Sequence, residues 1–325
     1  MGIRYLNKFL KENAKQSIKI AHLSDFSGKK IAIDISIYLY KYAADGTLIE
    51  NIYLMLTIFR YYNIIPIFVF DGKPPVEKKE LLKKRRQDKK EAEEEYNSLK
   101  TQLQMNANKI DETEKQELIH NMDILKKNFV TISRNDIENV KLLIKAYGAT
   151  YYDAIGEADE MCALLTIKNK VWACLSEDMD LFVYGCTRVI RYLSLLNHTA
   201  VLYDLKGILE ELDISQTNLR EICVLSGTDY NVNDDSKKTN IYTILKYFNK
   251  YKKENRCETF YDWLQENTEF TQNIDLFKNI YDLFDLNNSN ISVKDLEKIS
   301  INNGPIEKSM IREILKTDGF IFPMK

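Results

Sequence analysis

Nothing in the 325-residue chain approaches an apolar stretch long enough to span a bilayer, so no membrane-crossing helix is expected. The amino terminus, MGIRYLNKFLKE, is too polar for a signal peptide. Leu6 also stands where a myristoylation signal needs Ser or Thr, so an intracellular protein is expected. Histidine is scarce: His22, His120 and His198 are the only three, which argues against a His-based nucleophile system. The five cysteines (Cys162, Cys174, Cys186, Cys223, Cys257) are odd in number and widely spaced, with no Cys-x-x-Cys pair. Structural zinc, a disulfide framework and dithiol redox chemistry are therefore disfavoured. No internal repeat or low-complexity tract occurs. The segment DLNNSNISVKDLE (285–297) has the outline of a calcium loop but lacks its central Gly, and its acid is out of register.

What is present reads as globular: 45% hydrophobic and 29% charged residues, enough chain for one large α/β domain or two smaller ones. Apolar periodicity predicts a helix over 2–13, a strand at 30–34, helices near 36–44 and 48–62, and a strand at 65–70. From about 76 to 128 the chain is rich in Lys, Glu, Gln and Asn with a sparse apolar stripe, so a helical segment should project from the body. The α/β pattern resumes with a helix at 135–147, a strand at 149–152 and a helix at 157–169. Strands near 171–175, 188–193 and 199–203 follow, and beyond 204 the chain is helical.

Seven acids sit where such a chain places catalytic groups: Asp34, Asp71, Glu157, Asp159, Asp178, Asp180 and Asp229. Most follow an apolar, strand-like run, as in KIAID and PIFVFD, and strand carboxyl ends converge on the ligand crevice of an open α/β sheet. Gathered in one pocket, unpaired carboxylates repel, and oxygen ligands in this number suit Mg²⁺ or Mn²⁺. Two such ions suit phosphodiester hydrolysis. Net charge is only −2, but residues 73–90 hold nine Lys/Arg against three acids, and 237–256 hold seven against one. Basic runs beside an acidic cluster suit a polyanionic substrate, and solvated helix faces are the plainer alternative.

In order along the chain, MGI, KIAIDISIYLY (30–40), VFDGKPP (69–75), IGEADEMCALL (155–165), LSEDMDLFVYG (175–185) and LSGTDY (225–230) resemble the flap endonuclease (FEN/XPG) family of structure-specific 5′ nucleases. The resemblance covers roughly residues 1–250. It implies a mixed, mainly parallel central sheet flanked by helices, a PIN-like nuclease core at 1–215 with a helical arch at 76–134. A C-terminal helical region at 216–325 would contain a modified helix–turn–helix element, at about 216–252, that binds duplex. It further implies that Asp34, Asp71, Glu157, Asp159 and Asp178 hold one Mg²⁺, with Asp180 and Asp229 completing a second site. Mn²⁺ would substitute. Asp159 departs from the family's usual Glu-Ala-Glu, keeping the charge with a shorter reach.

Lys78 and Arg85 match the catalytic basic pair at the base of the family's arch, with Lys83, Lys84 and Arg86 beside them. Tyr40 matches an aromatic on which a base stacks, although a core tyrosine is the competing reading. Gly2 would lie near the active site. After Asp229 the family's Gly-x-Gly hairpin is missing, which leaves a K⁺ site doubtful. A helix starting near Thr239 could still offer its amino terminus to phosphate, helped by Lys237 and Lys238. The carboxyl end, KTDGFIFPMK, shows no sliding-clamp motif or basic tail.

The expectation is a monomeric nuclease of branched DNA, most of all 5′ flaps, in replication, repair and recombination. It would act in the nucleus or at a replication site, and a large DNA virus or divergent eukaryote fits as source. A junction-cleaving or 5′→3′ exonuclease relative, a metal-dependent ribonuclease on a related fold, and a silent nucleic-acid-binding scaffold are the alternatives.

Overall fold

The computed structural model describes residues 3–105, 112–230, 240–254, 259–268, 274–288, 291 and 293–320. Gly2, Lys237, Lys238 and Thr239 lie outside the described residues, as does the stretch 231–239 that replaces the glycine hairpin.

The first half comprises α1 (Leu6–Asn13), β1 (Ile18–His22), β2 (Lys30–Asp34), α2 (Ile35–Ala44), α3 (Leu48–Tyr61) and β3 (Ile65–Phe70). The projecting pair α4 (Lys79–Met105) and α5 (Glu112–Asn128) follows, then α6 (Arg134–Ala146), β4 (Thr150–Asp153), α7 (Ala158–Ile167) and β5 (Ala173–Leu175). Next come α8 (Asp180–Tyr184), β6 (Arg188–Ser194), β7 (Thr199–Asp204), α9 (Leu205–Leu212) and α10 (Gln216–Ser226). The rest is helical: α11 (Ile241–Glu254), α12 (Phe260–Asn267), α13 (Ile274–Leu283), α14 (Val293–Lys298) and α15 (Lys308–Thr317). No helix among the described residues is long and apolar enough to cross a membrane.

The strands form one seven-stranded sheet in the order β1-β7-β6-β5-β2-β3-β4. β4, β3, β2, β5 and β6 run parallel, while β7 and β1 add an antiparallel edge. Period-2 alternation sends Ala32, Ile67, Val69 and Cys174 into the layer shared with α1, α7 and α10. Ile31, Ile33, Phe68, Phe70 and Leu175 go to the opposite layer, with α2, α3 and α6. From β2 the chain moves outward through β3 and β4, then returns to lay β5 on the other side of β2. The β2/β5 boundary is therefore a topological switch point, where open α/β sheets leave a crevice.

Two strips of structure differ from the sequence expectation. The antiparallel strand β1 was not expected, because its exposed residues Lys19 and Ile20 hide the alternation. The single-turn α8 is too short for periodicity to reveal.

The arch has little core. Ala92 is the one buried residue of α4, and a buried Leu or Phe normally stabilises by about 1.5–3 kcal/mol, so burial does not hold this helix. Its base is tied instead: Lys89 Nζ donates to the Val130 carbonyl at 3.1 Å, Tyr96 meets Phe129 at 5.4 Å, and Lys127 pairs with Asp45 at 3.0 Å.

The carboxyl end returns to the sheet body. Ile311 and Leu315 of α15 are buried in the α2/α3/α6 layer. Gly304 N–H donates to the Gly148 carbonyl at 2.7 Å, and Glu307 N–H to that of Ala146 at 2.7 Å. A Cβ on Gly148, which sits at φ +68°, would lie 2.5 Å from the Gly304 backbone, so this approach requires glycine.

Candidate active site

Asp34 ends β2 and caps α2, with Oδ1 accepting from Ser36 N–H at 3.3 Å and Oδ2 from Ser176 Oγ at 2.9 Å. Asp71 follows β3 and accepts from Ser36 Oγ at 2.5 Å and from Ala158 N–H at 2.8 Å, tying the end of β3 to the first turn of α7. That junction has no room for a side chain at position 72: a Cβ on Gly72 would stand 2.1 Å from the Ala154 carbonyl oxygen. Gly72 N–H donates to the Gly156 carbonyl at 2.7 Å, so Asp71 and Glu157 lie on adjoining turns.

After β5, Asp178 N–H donates to Ser176 Oγ at 3.1 Å, and Asp180 N–H donates to Asp178 Oδ1 at 3.0 Å. Among the described residues, ligand oxygens of Asp159, Asp178 and Asp180 come within 4.8 Å of one another. This tightest trio draws from both groups of acids that the family pattern separates. Asp159 and Asp180 are buried.

Electrostatics make the cluster costly on its own. Burial, then the neighbouring Asp71, pushes the Asp34 carboxyl up to about 7, against the opposing hydrogen bond from Ser176. Asp159 is held well above the usual carboxylate range by burial and by Glu157, and Asp180 by burial and by Asp178 and Asp229. Both Asp180 oxygens are buried without a hydrogen-bond partner among the described residues. An unsatisfied buried carboxylate is expensive, and a cation bound by all-oxygen donors resolves it. The site therefore fits Mg²⁺ or Mn²⁺. No histidine joins it: His22 and His198 pack around Tyr62 beside the end of β1. Burial raises the Cys162 thiol to about 11, so it is held as a neutral thiol beside the acids.

Two cations reach the acids from the base of the arch. Lys78, in a 3₁₀ turn just before α4, is buried and contacts both oxygens of Glu157, at 2.8 and 2.7 Å. Burial acts to lower its pKa, but Asp159, Tyr230 and Glu157 outweigh this and raise it above the ordinary lysine value. Arg85 Nη2 pairs with Asp229 Oδ2 at 2.8 Å. Lys83, Lys84 and Arg86 are exposed on α4. Tyr40 is 49% exposed beneath Lys89, whose Nζ lies 4.9 Å from the ring centre, so the core reading of Tyr40 fails.

Tyr230 is a site residue that sequence reasoning missed. Its hydroxyl donates to Glu157 Oε2 at 3.1 Å, Lys78 Nζ lies 4.9 Å from its ring centre, and Phe284 meets its edge at 5.4 Å. Its position directly after Asp229 was the available signal. At α11, Asn240 Oδ1 accepts from the N–H groups of Tyr242 and Thr243, which occupies donors that a phosphate would use.

The chain is also similar to known proteins. The XPG N-terminal domain matches residues 1–92 and the XPG I-region residues 148–229, together more than half of the chain. Flap endonuclease 1 of Nematostella vectensis is 31% identical over 248 residues, covering 71% of this chain and 62% of that protein. The Lodderomyces elongisporus protein of the same name is 30% identical over 249 residues, covering 71% and 61%. The chain thus spans about three-fifths of the length of these relatives.

Among solved structures, flap endonuclease-1 from Methanococcus jannaschii matches with a TM-score of 0.62 at 26% identity, over 93% of this chain and 90% of that one. The catalytic core of Rad2 in complex with DNA substrate matches with a TM-score of 0.66 over 98% and 95%, a likeness of fold at 20% identity. The two matched regions contain all seven acids, and the chain belongs to the flap endonuclease (XPG) family.

Proposed function

We propose that this chain is a divalent-metal-dependent, structure-specific 5′ nuclease that acts on branched DNA, 5′ flaps above all. The observation that carries the reading is the pairing of a carboxylate cluster, in which both Asp180 oxygens lack a partner among the described residues, with the arch cations Lys78 and Arg85.

Asp159, Asp178 and Asp180 would hold one Mg²⁺ ion, with Asp34, Asp71, Glu157 and Asp229 completing the sites for two. Bound there, the ions would supply charge stabilisation and activate the attacking water. The protein's own groups do the rest. Lys78 and Arg85 exchange their carboxylate partners for the phosphoryl oxygens as charge builds on them. Tyr40 offers a face for the base next to the cleaved bond, and stacking of this kind contributes roughly 1–3 kcal/mol per base. The exposed Lys83, Lys84 and Arg86 hold the strand's phosphates along α4. Lys237, Lys238 and Thr239 would add phosphate contacts on the duplex side, and Gly2 would lie by the active site. The chain acts as a monomer at sites of DNA replication and repair.

Labelled 5′-flap, nicked, blunt-duplex and Holliday-junction DNAs, incubated with and without Mg²⁺, test the reading. The flap is expected to be cut fastest near the junction. Absence of Mg²⁺-dependent incision on all four would remove the enzyme reading in favour of a binding scaffold.

A further inference from the structure

The strand next to β5 carries an irregularity aimed at the metal-site loop. Arg191 of β6 lies opposite Val201 of β7, and Ser194 opposite Thr199, so β6 spends one residue more than its partner. Tyr192 sits in that bulge at φ 54°, a left-handed conformation unfavourable for a bulky side chain. Its N–H donates to Glu177 Oε1 at 2.5 Å.

Arg191, buried at 6% exposure, donates from Nη2 to the main-chain carbonyl of Glu177 at 2.8 Å and from Nη1 to Asn7 Oδ1 at 2.8 Å. Asn7 is itself fixed: its Oδ1 also accepts from the Tyr203 hydroxyl at 2.8 Å, and its Nδ2 donates to the Tyr192 hydroxyl at 2.8 Å. Helix α1, β6 and β7 thus converge on one residue of the loop after β5.

That residue precedes Asp178. The peptide unit joining Glu177 to Asp178 is gripped on both sides, its carbonyl by Arg191 and its N–H by Ser176 Oγ at 3.1 Å. The orientation of this unit sets the direction in which Asp178 leaves the chain, and Asp178 Oδ1 in turn accepts from Asp180 N–H. A buried guanidinium with its Nε unpartnered among the described residues is costly, and apolar residues would pack the same space at less cost.

We infer that Asn7, Arg191 and Glu177 form a clamp of positioning residues that holds Asp178 and Asp180 in metal-binding geometry. This rests on the metal-site reading proposed above. Groups of this kind orient ligands without touching the ion, and their loss typically weakens metal affinity about 10–100-fold.

Mn²⁺ binding to the whole chain, followed by calorimetry without DNA, provides the test, alongside thermal midpoints in EDTA and kcat and KM on flap DNA. Asn7→Leu keeps the side chain's size but can neither accept from Arg191 nor donate to Tyr192. It should weaken Mn²⁺ binding about tenfold or more and lower kcat, with KM for DNA little changed. Asn7→Asp retains the acceptor for Arg191 and should recover most of the loss. Arg191→Lys keeps the charge but cannot bridge Asn7 and Glu177 together, and should match Asn7→Leu; it decides the matter if Asn7→Leu does not fold.

Asp178→Asn separates the two layers of the argument. Mn²⁺ binding that Asp178→Asn leaves undiminished would overturn the metal site and the clamp with it. Asp178-dependent binding that both Asn7→Leu and Arg191→Lys leave intact would overturn the clamp alone.

Discussion

Lys78 Nζ contacts both carboxylate oxygens of Glu157, at 2.8 and 2.7 Å, and does so from a buried position at the foot of the arch. An ammonium therefore stands against the acids, and it is the same group proposed to meet the scissile phosphate.

Replacing it should expose both roles. Removing one partner of a buried pair commonly costs about 3–5 kcal/mol, because the other charge is left uncompensated. Lys78→Met should lower the thermal midpoint in EDTA, and Ca²⁺ should recover much of the loss. Single-turnover cleavage in Mg²⁺ should fall far more than flap affinity. A loss confined to affinity would return Lys78 to a structural role.

Asp180 should show the opposite balance. Its buried carboxylate has no hydrogen-bond partner among the described residues, and a neutral amide there relieves repulsion from Asp178 and Asp229. Asp180→Asn is expected to melt higher than wild type in EDTA, to lose the stabilisation that Mg²⁺ or Ca²⁺ confers, and to be inactive. An unchanged EDTA midpoint would mean that Asp180 is not strained.

The raised carboxyls also set a pH dependence. Asp34 has an ordinary value of 3.8 and a folded value of about 7. Its contribution to stability is full below about pH 4 and is lost as pH rises through about 7, because the unfolded chain releases the proton first. Asp159 and Asp180 are raised in the same sense. Metal-free protein should thus lose stability between pH 4 and 7, and saturating Mg²⁺ should flatten the upper part of that slope. Thermal midpoints across this range, with EDTA or Mg²⁺, provide the measurement.

Tyr230 separates ring from hydroxyl. Tyr230→Phe removes the 3.1 Å hydrogen bond to Glu157 but keeps the ring under Lys78. A bond of this kind contributes roughly 1 kcal/mol, so a fall of a few-fold in kcat is expected. Tyr230→Leu, which also removes the ring, should fall further. Equal effects of the two would assign the whole contribution to the hydroxyl.

Much of this was legible in the residues. Asp34 and Asp71 close apolar runs that read as strands, and the runs place both acids at the carboxyl ends of neighbouring parallel strands whatever the loop details. Lys78 and Arg85 were singled out from the basic run by the family resemblance, but not their partners, since Glu157 and Asp229 lie far along the chain and meet them through tertiary folding alone. Arg191 was invisible as a site residue. Within a strand read by alternation it is one more charged position, and nothing in local sequence announces that Tyr192 forms a bulge or that Asn7 waits opposite. β1 was lost for the converse reason, because an edge strand with Ile20 80% exposed follows no inward pattern.

The Gly148–Gly304 approach has a consequence in time. Residues 304–315 fasten to the turn after α6 and fill the layer above α2 and α3, so they leave the ribosome only after the elements they complete. Until they emerge, the layer lacks Ile311 and Leu315, and the chain holds its seven acids on an unfinished frame. Nascent chains stalled before residue 300 should be sensitive to protease throughout α3 and α6, and emergence of α15 from the ribosome should end that sensitivity.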